Sequence, residues 1–135
     1  NLQAAFLNYF FKDYDKTIEI KREIAELYNS NLKDISDLIL PEAPSENNVN
    51  FDVFQNYEIQ ANRRDDLQSY LQENRIGTLI QWGGTPVHQF KKLGFSQNLP
   101  ITDEFFKKIL MLPMNLSLED GDIDYICLKI NDFYS

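Results

Sequence analysis

VFQNYEIQANRRDDLQSYLQENRIGTLIQW, residues 53–82, is the stretch on which the fold turns. Phe54, Tyr57, Ile59 and Ala61 alternate imperfectly with polar residues among aromatic and β-branched neighbours, which predicts a half-buried strand over about Val53 to Ala61. Asn62 then stands where an N-cap belongs, and Leu67, Tyr70 and Leu71 return at helical spacing as far as about Asn74. Gly77 closes that helix, and Thr78 to Trp82 read as a second strand. The order is strand, helix, strand.

On the N-terminal side no Gly or Pro interrupts Leu2 to Asn29. Phe6, Phe10, Tyr14, Thr17, Ile20, Ile24, Leu27 and Tyr28 recur there at three- and four-residue spacing, which predicts one long amphipathic helix. Its start carries more aromatics than one face needs: Phe6, Tyr9, Phe10 and Phe11 suit either a second partner surface or a wide core contact. The Pro- and Asn-rich run from Leu40 to Asn50 reads as a connecting loop.

On the C-terminal side Gly83, Gly84, Thr85 and Pro86 break the chain into a loop, and Val87 to Leu93 fit a short helical turn. Thr102 is a candidate cap for a helix reaching Lys108, and Ile109 to Met114 read as a short edge strand, Pro113 lying near its end. The last helix is expected from Ser117, as cap, to Phe133, with Ile123, Ile126, Cys127, Ile130 and Phe133 on its buried face. The expected fold is α+β: a two-layer sandwich in which a long leading helix, residues 1–32, precedes a small, about three-stranded sheet covered by helices, residues 53–135.

At 135 residues, 43% hydrophobic and 13% aromatic, the chain suits one domain, 1–135, with one core. Its net charge is −8, and its thirteen basic residues are scattered, which argues against nucleic acid as a partner. No apolar run approaches the roughly 18 residues of a membrane span, and no signal peptide is apparent. One cysteine excludes an internal disulfide, so a cytoplasmic location is the expectation. One cysteine and one histidine also make a transition-metal site unexpected. Asp65 and Asp66 read as a helix first turn, and Glu119, Asp120, Asp122 and Asp124 lack the spacing of a calcium loop.

Four segments in order resemble the C-terminal part of the DegT-type nucleotide-sugar aminotransferases. They are NLQAAFL at 1–7 with REIAELYNSNL at 22–32, FQNYEIQANRRDDLQSYLQENRIGT at 54–78, IQWGGTPVHQFKKLGF at 80–95 and ILMLPMNLSLEDGDIDYI at 109–126. The resemblance implies the small domain of the fold type I transferases, which packs beside a larger domain that binds pyridoxal phosphate (PLP). It further implies a nucleotide-sugar substrate, an amino-acid donor and a homodimer. The family's Ser-Phe-x-x-x-Lys segment, whose lysine forms the Schiff base, does not occur here, so no catalytic, cofactor-binding or metal-binding residue is expected in this chain. A start at Asn1, already inside a helix, favours a cut over a natural beginning.

The candidate substrate-binding residues are Trp82, Gly83, Gly84 and His88, all on the loop that leaves the predicted second strand. Paired glycines allow close approach of the backbone, a tryptophan can stack on a sugar or a base, and a histidine can bond a phosphate or a hydroxyl. The resemblance matches His88 to a family histidine directed at the active site. Gln81, Trp82 and Gly83 replace the family's usual His-Tyr-Pro, and Gln55 stands where a histidine is common, so the sugar and the aminated carbon stay open. The expected function is the C-terminal part of an aminotransferase of nucleotide-linked keto-sugars. The alternatives are a non-catalytic binding or dimerisation module and a dehydratase relative of the same fold.

Overall fold

The structure is a computed structural model that describes residues 1–45 and 51–135. The leading helix forms as two segments, α1 (Leu2–Phe10) and α2 (Tyr14–Leu32), joined by a tight turn at Phe11–Asp13. A three-stranded antiparallel sheet follows, in the order β1-β2-β3, from β1 (Leu38–Ile39), β2 (Tyr57–Ala61) and β3 (Ile109–Leu112). Helices α3 (Arg64–Glu73), α4 (Pro100–Lys108) and α5 (Asp120–Tyr134) complete the chain.

The central strand β2 alternates as the sequence requires. Tyr57, Ile59 and Ala61 are buried, while Glu58 and Gln60 are only partly covered. Leu67 and Leu71 of α3, Ile123, Ile126, Cys127 and Ile130 of α5 and Ile24, Ala25, Tyr28 and Leu32 of α2 close the core on the first set. The Tyr28 ring packs at a tilt against Tyr57, centroids 4.8 Å apart, and its hydroxyl donates to the Pro113 carbonyl at 2.9 Å, tying α2 to the end of β3. The Tyr57 hydroxyl is buried with no hydrogen-bond partner among the described residues. On the other face, α4 runs beside Gln60.

Several expectations change. The predicted strand Thr78–Trp82 makes only a bridge from Leu79 to Met111, because positive φ angles from Trp82 onward destroy the pleat. The third strand is instead β1, two residues paired with Gln60 and Ala61 and too short to show a period. The strand predicted from Val53 begins at Tyr57, since Phe54 turns left-handed at φ 48° with its amide bonded to the Asp52 carboxylate.

Three predicted caps also give way. Asn62 bonds Asp37 through both its backbone and its side chain, leaving Arg63, at φ 56°, to precede α3. Helix α4 starts at Pro100 rather than after Thr102, as the fixed φ of proline favours the first helical position. Ser117 bonds Asn115, and α5 is closed two residues later by a reciprocal capping box between Glu119 and Asp122.

The stripe expected along the leading helix is core only in its second half. Phe6 and Phe10 are 57% and 67% exposed, because α5 and the sheet reach no further than the C-terminal part of α2. Residues 40–45 form no helix or strand, and the remainder of the predicted connecting loop, 46–50, lies outside the described residues.

Two outcomes follow from the core. Ile59→Ala, at a fully buried position of β2, lowers the unfolding free energy by about 2–5 kcal/mol in a denaturant titration. Burial pushes the Cys127 thiol up to about 12, so the folded chain keeps its proton where the unfolded thiol has lost it. Stability therefore declines as pH rises from the ordinary thiol value towards about 12, and Ellman's reagent labels Cys127 at pH 8 only as fast as the protein opens.

Candidate functional site

The chain leaves the Leu79 bridge extended at Ile80 and then turns left-handed, with φ of 55° at Trp82, 61° at Gly83 and 73° at Gly84. The Gly83 amide donates to the Ile80 carbonyl at 3.2 Å and the Thr85 amide to the Trp82 carbonyl at 3.3 Å. Glycine is needed at Gly84 on two counts, since a Cβ there would also meet Ile80 Cγ2 at 3.3 Å. Trp82 has no such excuse. A side chain in this region costs about 1–2 kcal/mol, and the turn retains the largest one of all, 75% exposed.

The indole is nevertheless held. With its amide nitrogen facing the carboxylate, Gln81 donates to Glu58 Oε2 at 3.0 Å, and its oxygen accepts from Trp82 Nε1 at 3.2 Å. Glu58 projects from β2 on the face opposite the core, and burial raises its carboxyl above the ordinary value. The tryptophan is thus tied through one side chain to the central strand.

Six residues after Trp82, His88 lies in the tight turn Val87–Gln89 and is 7% exposed. Its Nε2 meets Asp103 Oδ1 of α4 at 2.9 Å, and Gln89 Nε2 donates to the same oxygen at 2.6 Å. The Gln89 bond is the main cause that lowers the Asp103 pKa, burial opposes it, and His88 adds to the lowering. The loop is in this way sewn to the first turn of α4.

Trp82 and His88 line one cavity of about 520 Å³. Its other walls are Thr85, Pro86, Val87, Phe90, Leu99, Thr102 and Phe106, an almost wholly apolar lining with His88 and two threonines as polar groups. That is the composition of a small-molecule pocket. Among the described residues no lysine or arginine lines it, so it offers no amine for the Schiff base of PLP and no permanent positive charge for its phosphate, and the cavity does not fit that cofactor.

The structure therefore brings Trp82 and His88 together around one space and gives Gly83 and Gly84 the job of shaping the turn between them. The sequence did not reveal Asp103, Gln81 and Glu58 as parts of this arrangement. Asp65 and Asp66 stand in the first turn of α3 as expected. Among the described residues no group of three His, Cys, Asp or Glu side chains could hold a metal ion, and no helix is long and apolar enough to cross a membrane.

The sequence pattern of the DegT/DnrJ/EryC1/StrS aminotransferase family matches residues 1–131. A protein of Geobacillus stearothermophilus described as a pleiotropic regulatory protein is 33% identical over 98% of this chain and 36% of its own length. The GDP-perosamine synthase of Escherichia coli O157:H7 is 31% identical over 90% of this chain and 32% of its own length. The crystal structure of a DegT DnrJ EryC1 StrS aminotransferase from Brucella abortus superposes with a TM-score of 0.85 at 31% identity, over 98% of this chain and 35% of that one. The chain spans about a third of the length of these relatives.

Two substitutions test this geometry. Gly84→Ala destabilises the protein by about 1 kcal/mol, read from the shift of the thermal or denaturant midpoint. Asp103→Ala removes the acceptor shared by His88 and Gln89, and amide exchange in Val87–Gln89 accelerates while β2 keeps its protection. Because the carboxyl is held below its ordinary range, the wild-type loop keeps this tie above that range and loses it as acid protonates Asp103.

Proposed function

The chain belongs to the DegT/DnrJ/EryC1/StrS aminotransferase family, and from that premise we propose that it is the C-terminal small domain, 1–135, of an enzyme that aminates a nucleotide-linked keto-sugar. The observation that carries the reading is the strained turn that sets Trp82 at the edge of an apolar cavity with His88 in its wall. PLP would be held by a domain outside this chain, a reading supported by the absence of the family's Ser-Phe-x-x-x-Lys segment from these residues. An amino acid such as glutamate would be the donor.

In this reading the domain closes a pocket built elsewhere. The apolar walls Val87, Phe90, Leu99 and Phe106 exclude water, and Trp82 gives the sugar or the base a flat surface. With Nε2 of His88 bonded to Asp103, Nδ1 is the ring atom left for a phosphate or hydroxyl of the substrate. Orientation and binding, not proton transfer, are its part. The exposed stripe Leu2, Phe6, Tyr9 and Phe10 on α1 supports burial of that helix against the larger domain or the second subunit of a homodimer. A location in the cytoplasm accords with such biosynthetic chemistry.

The regulatory description of the Geobacillus relative favours a second reading, a member of the family that binds a nucleotide sugar without transferring an amino group. The parent protein separates the two. A transferase takes up PLP with the absorbance of a lysine-bound cofactor, and adding glutamate converts that band. A protein that shows neither change is a binding module. In the active enzyme His88→Ala raises KM for the nucleotide sugar about ten-fold and lowers kcat far less. Unchanged constants would remove His88 from the substrate site.

A further inference from the structure

An exposed indole ordinarily samples several rotamers, and its N–H is free to bond water or a ligand. Trp82 is 75% exposed, yet it is restrained three times over. Its backbone sits in the left-handed region, its Nε1–H is taken by Gln81, and Gln81 is itself held by Glu58. Glu58 belongs to the middle strand of the sheet and lies across from Met111, so the anchor of the series is among the most rigid parts of the fold. With the N–H satisfied internally, the one chemistry the indole still offers outward is its π face.

We infer that Glu58 and Gln81 are positioning residues that fix the plane of the Trp82 ring so that its face stacks on a flat face of the ligand. That face is either the nucleobase or the C–H side of the sugar ring. The inference rests on reading the loop as a substrate pocket, and it deepens that reading by naming which residues set the stacking surface. A ring held in advance loses less rotamer freedom on binding, which is the physical advantage of the two tethers.

The test uses the parent protein with its cofactor domain, and isolates Trp82 emission by subtracting the signal of Trp82→Phe. GDP, dTDP, GDP-mannose and dTDP-glucose are titrated separately. Quenching by a nucleoside diphosphate as complete as that by its sugar conjugate assigns the base to the indole; quenching by the conjugate alone assigns the sugar. No response to any of the four overturns the inference. Glu58→Ala and, as a variant that leaves β2 untouched, Gln81→Leu each weaken binding on the order of ten-fold by calorimetry. Neither adds to the loss already present in Trp82→Ala, because both act through the ring. Fully additive losses would show that they act otherwise and would also overturn it. Conversion of the cofactor band by glutamate, measured on the wild type, reports on the aminotransferase reading independently. A protein that converts the band but shows no Trp82 response loses this inference alone.

Discussion

Side chains on a strand alternate between two faces, and in this protein a single five-residue strand uses that rule to join the core to the site. Tyr57, Ile59 and Ala61 point inward and are the surface on which α2, α3 and α5 assemble. Glu58, between the first two, must then point to the opposite face, where it meets Gln81 and through it Trp82. A register slip of one residue would bury the carboxylate and expose the core together, so packing of the apolar set also guards the placement of the polar one.

The opposite face is organised by backbone more than by packing. Once the chain leaves its bridge to Met111, three successive positive φ angles reverse it, and two tight turns carry it past His88 to Gly94. Such a path makes few regular hydrogen bonds and needs side chains to hold it. Asp103 supplies the anchor by accepting from both His88 and Gln89, and the cavity opens between this fastened loop and α4. The strain at Trp82 stands out because nothing in the fold of the turn requires a large residue there.

At the other end of the chain the balance is reversed, with regular structure and no cover. Helix α1 has no buried residue, and its apolar side chains line a shallow groove of their own. Helix α2 crosses from that exposed region into the core at Ile24, so one nearly continuous helix links a finished interior to an unfinished surface. The same periodic stripe runs along both halves, and only the reach of α5 and the sheet decides which half becomes core.

Local chemistry set much of this in the sequence alone. Alternation at Tyr57, Ile59 and Ala61 specified the central strand, and three- to four-residue spacing specified α2, α3 and α5 with part of their buried faces, Ile24 and Tyr28, Leu67 and Leu71, and Ile123, Ile126, Cys127 and Ile130. Four segments in order, 1–7 with 22–32, 54–78, 80–95 and 109–126, carried the family and, with it, Trp82 and His88 as candidates. Each of these signals lies within a few turns or strand positions, where side-chain periodicity reflects burial directly. What needed the tertiary structure was everything that depends on partners far apart in the chain. Asp37 drew Asn62 away from capping α3, and the two-residue β1 exists only because β2 offers it an edge. The site followed the same rule: Glu58 is 23 residues from Gln81 and His88 is 15 from Asp103. No local pattern could pair them, because hydrogen bonds between loops and helices are fixed by where packing brings the chain.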